Sequence, residues 1–145
     1  LYDTDVSGVE YAAARDHYGK YLIYPNYINA GVLLFNMKYM RETGIFAKAR
    51  EELRRKKLTF ADQSALIRST TKKKMLAQKF NDQKFLHKHT IVRHFSKRLF
   101  YLPYPHTDNI KQWHVSKMYK TFKYDCFDDI IYEYIYLKGK FENEI

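Results

Sequence analysis

Residues 27–36 constrain the fold more than any other segment, because their second half, Val32-Leu33-Leu34-Phe35, is a continuous apolar run. A run this short and without alternation suits a strand covered on both faces, as in α/β proteins. Gly31 interrupts the segment just ahead of the run. There the missing Cβ permits a bulge or a close approach by another group. The rest of the chain alternates further strands and helices. Residues 9–14 are expected to form a short buried strand of small side chains. Residues 45–57 read as an amphipathic helix, with Ile45, Phe46, Ala49 and Leu53 on one stripe and Glu51 and Glu52 placed for local ion pairs. Thr59-Phe60-Ala61-Asp62 matches a capping box that opens a short helix through Ile67. Residues 75–80 and 90–95 are expected strands, and 99–108, holding Pro103 and Pro105, an expected loop. Residues 128–137 are an expected final helix with Phe127, Ile130, Ile131, Tyr134 and Ile135 on its apolar face. This order predicts the α/β class.

At 145 residues, 46% hydrophobic and 17% aromatic, the chain suits one domain with a real core and is too short for two. It opens at Leu1 inside what reads as a structured segment, so it is expected to be part of a longer protein. No run of about 18 apolar residues offers a membrane span. The single cysteine, Cys126, makes no internal disulfide and no CxxC metal pair, which fits a reducing, cytoplasmic setting. The net charge of +10 is concentrated: residues 71–124 hold 13 Lys or Arg against Asp82 and Asp108, whereas the remainder holds 13 basic and 14 acidic residues. A concentrated basic segment implies an anionic partner, whether a phosphate-bearing ligand, a nucleic acid or an acidic membrane face.

Five ordered elements narrow the choice. Tyr27-Ile28-Asn29-Ala30-Gly31-Val32-Leu33-Leu34-Phe35-Asn36 resembles the (F/Y)xNAGVLLxN strand of family 8 glycosyltransferases. Phe60-Ala61-Asp62-Gln63-Ser64-Ala65-Leu66 resembles that family's DQDAL segment, Lys79-Phe80-Asn81 its FN strand, and Ile91-Val92-Arg93-His94-Phe95 its (I/V)xHF strand. Asn109-Ile110-Lys111-Gln112-Trp113 resembles its KPW element. The resemblance implies residues 1–145 as the C-terminal part of one catalytic domain of GT-A fold, the nucleotide-binding half lying upstream. It implies transfer of a hexosyl group, glucosyl or galactosyl, from a UDP-sugar to a saccharide or lipid-linked acceptor in cell-surface glycan synthesis. The anomeric configuration would be retained.

The resemblance also assigns roles. Asn29, Ala30 and Gly31 would line the donor sugar, Asn29 offering both a donor and an acceptor to hydroxyls. Asp62 and Gln63 would read the same sugar near its anomeric carbon and carry the catalysis. The family's third acidic position is Ser64 here. His94 would complete a Mn²⁺ site with two aspartates of a DxD motif, the metal stabilising the departing diphosphate. Lys111 would place a charge on the same phosphates. A proline-rich loop separates it from His94, so Lys97 or Arg98 could take that role instead.

Asp3-Thr4-Asp5 is a literal DxD, but Asp5 stands eleven residues before Asp16, in the stretch Ala13-Ala14-Arg15-Asp16 that resembles the family's AxRD. The metal motif is therefore expected upstream, and the chain by itself is expected to be inactive and prone to self-association along an exposed sheet edge. The basic, aromatic segment 118–124 suits peripheral contact with the inner face of a membrane. The rival readings are a nucleic-acid-binding module built on the interleaved basic and aromatic residues of 80–124, and a non-catalytic interaction domain. The five elements leave no need for nucleic acid as a partner.

Overall fold

In the computed structural model, which describes residues 1–84, 86–111, 113–123 and 125–142, a strand of small residues organises the first of two units. The units are Leu1–His94 and Phe95–Ile145, and each is described by itself. Gln112 of the Trp113 motif and Tyr124 at the end of the basic segment lie outside the described residues.

The first unit runs β1 (Tyr11–Arg15), α1 (Gly19–Leu22), β2 (Ile28–Phe35), α2 (Met37–Thr43), α3 (Ile45–Arg55), α4 (Ala61–Ser69) and β3 (Lys73–Met75). The sheet order is β2-β1-β3, with β1 antiparallel to β2 and parallel to β3. Because alternate strand residues face opposite sides, β1 serves two cores. Tyr11 and Ala13 join Ile28, Met40, Ile45 and Leu66 on one face, while Ala12 and Ala14 meet Leu76 on the other. Leu33 and Phe35 pack on the first core and Leu34 on the second. The unalternating run in β2 thus has the two-sided cover expected of it, and the molecule is mixed α/β.

Several local expectations are corrected. The capping box at Thr59 and Asp62 does not form: Phe60 is the N-cap, in the left-handed region at φ 53°, and no side chain caps the helix. Thr59 instead offers its carbonyl to the Ser64 hydroxyl, which also bonds the Tyr27 hydroxyl at 2.7 Å. Residues 75–80 are not a strand. β3 ends at Met75 and a 3₁₀ turn, Gln78–Phe80, follows. Residues 90–95 contribute only an isolated parallel bridge, Arg93 with Asp82. The helix α2 has no counterpart among the expected elements. It is capped by Asn36, whose side chain accepts from the Tyr39 N–H at 3.1 Å, and ends at Gly44, φ 65°. That left-handed conformation suits a residue with no Cβ. The α3 expectation holds, with Glu51 bonding Arg55 at 2.7 Å, but Phe46 and Leu53 remain exposed.

A buried carboxylate ties β1 to β3. Glu10 accepts from the backbone N–H groups of Thr71 and Lys72 at 2.8 and 3.0 Å and from the Thr70 and Thr71 hydroxyls. Burial pushes its carboxyl up, but the hydrogen bonds from Thr70, Lys72 and Thr71 outweigh that and hold it below the usual carboxylate range.

The second unit comprises β4 (Arg98–Phe100), β5 (His106–Asp108), α5 (Val115–Phe122) and α6 (Asp128–Glu142). The expected loop at 99–108 is largely an antiparallel hairpin, Arg98 opposite Asp108 and Phe100 opposite His106. Its core is Phe95, Ile110, Met118 and Ile131, flanked by Phe100, Val115, Phe122 and Phe127. Of the apolar face expected for α6, Ile131 alone is buried; Ile130, Tyr134 and Ile135 are exposed.

Candidate functional site

One polar network crosses the first unit where β1 ends, β2 begins and α4 starts. Asp16, just after β1, is buried. Its Oδ1 accepts from the N–H groups of Tyr18 and Gly19, and its Oδ2 from Asn29 Nδ2 at 2.8 Å. The same Nδ2 donates to Gln63 Oε1 at 3.0 Å, which also accepts from the Ala30 N–H at 3.1 Å. Asn29 Oδ1 accepts from the Gly31 N–H at 2.9 Å and from Asn81 Nδ2 at 3.0 Å. Asn81 Oδ1 then lies 3.1 Å from His94 Nδ1.

Every direction in this relay follows from its acidic end. A carboxylate only accepts, so Asn29 Nδ2 is the donor and its oxygen the acceptor. Asn81 must therefore donate with its nitrogen and accept with its oxygen. That places the proton of His94 on Nδ1, which in a neutral ring leaves the lone pair on Nε2. One group is left over: Gln63 Nε2 is buried without a partner, in a side chain 8% exposed. Leaving such a donor unmet costs about 1–3 kcal/mol, and an enclosed water would satisfy it.

The network is closed underneath and opens at Gly31. Asn29, Gln63 and Asn81 are buried, Ala30 and His94 are half-buried, and Gly31 is exposed. A Cβ at Gly31 would overlap the His94 ring, so the glycine is required by the close approach of that imidazole. The site thus presents bare backbone at 30–31, one ring edge and the start of α4.

Of the residues singled out in the sequence, Asn29, Ala30, Gly31, Gln63 and His94 come together. Asp62, in the first turn of α4, is exposed and outside the network. Ser64 points into the fold, toward Thr59 and Tyr27. Lys111 belongs to the second unit, where its ammonium donates to the Phe95 carbonyl. Lys97, also in that unit, is exposed, and Arg98 lies over the Phe122 ring at 4.7 Å. Asp16, Asn81 and Gln83 carry no role in the sequence reading. The resemblances of Ala13–Asp16 and Lys79–Asn81 are the available signals for the first two. Gln83, which accepts from the His17 N–H at 2.9 Å and donates to the Arg15 carbonyl at 2.8 Å, has none.

Among the described residues, no three His, Cys, Asp or Glu side chains stand close enough to hold a metal ion. The carboxylate of Asp16 is committed to Tyr18, Gly19 and Asn29. Asp5 accepts from the Ser7 N–H at 2.8 Å, and its contacts with Ser7 hold its carboxyl below the usual range. These residues do not compose a Mn²⁺ site by themselves. No helix among the described residues is long and apolar enough to cross a membrane. Comparison with protein-family models, curated proteins and solved structures finds no match to this chain.

Proposed function

We propose that residues 29–31, Gln63 and His94 form the sugar-facing side of a nucleotide-sugar-dependent hexosyltransferase resembling family 8, carried on part of a GT-A-like α/β fold. The observation that carries this reading is convergence. Four segments singled out for their resemblance, spread from residue 29 to residue 94, meet in one hydrogen-bonded network with a single unmet donor, Gln63 Nε2. Random placement of short motifs has no reason to produce that. In this reading the bare backbone at Gly31 lets a pyranose ring approach closely, and Gln63, enclosed beneath it, reaches one of its hydroxyls through a water held on Nε2. Asp62 reads a second hydroxyl from the exposed start of α4. The relay from Asp16 keeps these groups in fixed rotamers before the sugar arrives, so little ordering is required on binding. The donor is a UDP-hexose, and the acceptor a saccharide.

Saturation-transfer NMR with the 145-residue chain and UDP-glucose or UDP-galactose tests the reading. The pyranose protons should receive saturation, and Gln63→Ala should remove most of it while leaving the circular dichroism spectrum unchanged. A folded chain that transfers nothing to the pyranose, or transfers equally in Gln63→Ala, overturns it.

A further inference from the structure

We propose that α6 is a pairing helix, which docks antiparallel on α6 of a second copy of this chain. This inference is independent of the sugar site. Ile130, Tyr134, Leu137 and Phe141 are spaced four, three and four residues apart, and all four are exposed, Ile130 at 57% and Phe141 at 61%. That spacing places them on one seam about 16 Å long, the a and d pattern that helices use to pair. Ile131, one position round the helix, is the residue buried in the unit's own core, so the seam stands beside the packed face and open to a partner.

Two further features select the second copy and its direction. Glu133 and Lys140 flank the seam on the side away from Ile131, seven residues apart, and neither has an ion-pair partner among the described residues. In an antiparallel pair these positions face each other across the interface, so Glu133 meets the partner's Lys140 twice by symmetry. Lys138, on the other flank, is already paired to Glu142 at 3.5 Å within its own helix. The same antiparallel register sets the partner's Phe141 opposite Ile130. Beside Ile130 lies a notch of about 150 Å³ lined by Trp113, Ile130, Ile131 and Tyr134. A space of that volume holds one benzene ring. The helix therefore carries both the aromatic knob and the hole that receives it, at opposite ends of one seam. A parallel pair would bring Phe141 against Phe141 and leave both notches empty.

The seam is short, so the dissociation constant should be on the order of 10–100 μM. Sedimentation equilibrium of the full chain from micromolar to millimolar concentration should show a monomer–dimer equilibrium. The emission of Trp113, the chain's one tryptophan, should move to shorter wavelength as the dimer forms. Leu137→Glu should weaken pairing at least tenfold, and Phe141→Ala should abolish the emission shift. Glu133→Lys alone should weaken it roughly fivefold or more, and adding Lys140→Glu should restore it. These last two positions are on the helix surface, so their variants fold. A chain monomeric at millimolar concentration, or a dimer indifferent to Leu137→Glu, overturns the proposal. A dimer that the double charge exchange fails to restore overturns the antiparallel arrangement, since parallel helices would set the new positive charge at position 133 against the partner's Lys138.

Discussion

The side chain of Asn29 donates to that of Gln63 at 3.0 Å, joining the start of β2 to the start of α4 across 34 residues of chain. Each partner is also held by backbone: Asn29 by the Gly31 N–H and Gln63 by the Ala30 N–H. The two amides are therefore fixed by the strand they border, and rotating either one breaks a bond to that backbone. A buried polar cluster this complete specifies rotamers. That is what a binding surface requires of the groups beneath it. Of the network's own buried side-chain atoms, Gln63 Nε2 is the one left unmet.

Replacement of Gln63 by Ala should destabilise the first unit by about 1–3 kcal/mol, since Ala30 N–H loses its acceptor and Asn29 keeps one of two. Gln63→Glu tests the electrostatics instead. Its new carboxylate would share the Asn29 donor with the Asp16 carboxylate, bringing two like charges together. The variant should be less stable than the parent at pH 7 and recover as pH falls and the pair takes up a proton. Urea titrations at pH 7 and pH 5 check this; a pH-independent difference would mean the two carboxylates do not meet.

Gly31→Ala should cost about 1–3 kcal/mol through overpacking alone, because the added methyl meets the His94 ring and the backbone there is not in the left-handed region. The double variant Gly31→Ala with His94→Ala should recover part of that loss. A double-mutant cycle by thermal denaturation reads the coupling, and additive losses would show the imidazole is not the obstacle.

Periodicity made β1, β2 and α3 legible because each has a core face written in consecutive or regularly spaced apolar residues. Residues 75–80 and 90–95 misled for a related reason. Lys79 and Val92 carry strand-like neighbours, yet the Val92 N–H bonds the carbonyl of Lys79 within the 3₁₀ turn, and only the single Arg93–Asp82 bridge forms between the two segments. The cap of α4 misled because Thr59 and Asp62 have the right identities, while Ser64 takes the Thr59 carbonyl and Phe60 turns the chain. As for the site, the resemblance pointed to Asn29, Gly31, Gln63 and His94, and periodicity alone pointed to none of them. Asn81, the link between Asn29 and His94, is fully buried and polar, a circumstance no local pattern encodes.

Glu10 should give the chain an acid-sensitive component of stability. Its folded carboxyl lies below the ordinary value of 4.5, so its contribution is fully present above about pH 4.5 and is lost as pH falls through the folded value. Glu10→Gln keeps the shape but not the charge. The parent should therefore exceed the variant in urea midpoint at pH 7, and the gap should narrow progressively as pH falls below 4.5. Asp5 and Asp108 are also held low by their hydrogen bonds, from Ser7 and Lys117, but they are present in both proteins and cancel in the difference. Two curves that stay parallel from pH 7 to pH 3 would deny Glu10 this role.

Among the described residues, two that are not glycine, Phe60 and Lys123, sit in the left-handed region, at φ 53° and 54°, and glycine substitution should act on them in opposite directions. An L-residue there bears a steric cost of roughly 1–2 kcal/mol, and glycine relieves it while adding about 0.5–1 kcal/mol of chain entropy to the unfolded state. Lys123 ends α5, its N–H bonding the Tyr119 carbonyl at 3.1 Å, and its side chain is exposed, so little else is lost. Lys123→Gly should stabilise the second unit by about 0.5–1 kcal/mol, raising its melting point by a few degrees as followed by Trp113 fluorescence. Phe60 has the same strain but its ring packs against Tyr27, centroids 6.2 Å apart. Losing a partly covered ring and an aromatic contact costs about 1.5–3 kcal/mol, more than the strain relieved. Phe60→Gly should therefore destabilise the first unit, as read by far-UV circular dichroism. If both variants stabilise, the Phe60 ring contributes nothing to the turn into α4. If both destabilise, the side chain of Lys123 does more at the end of α5 than its exposure implies.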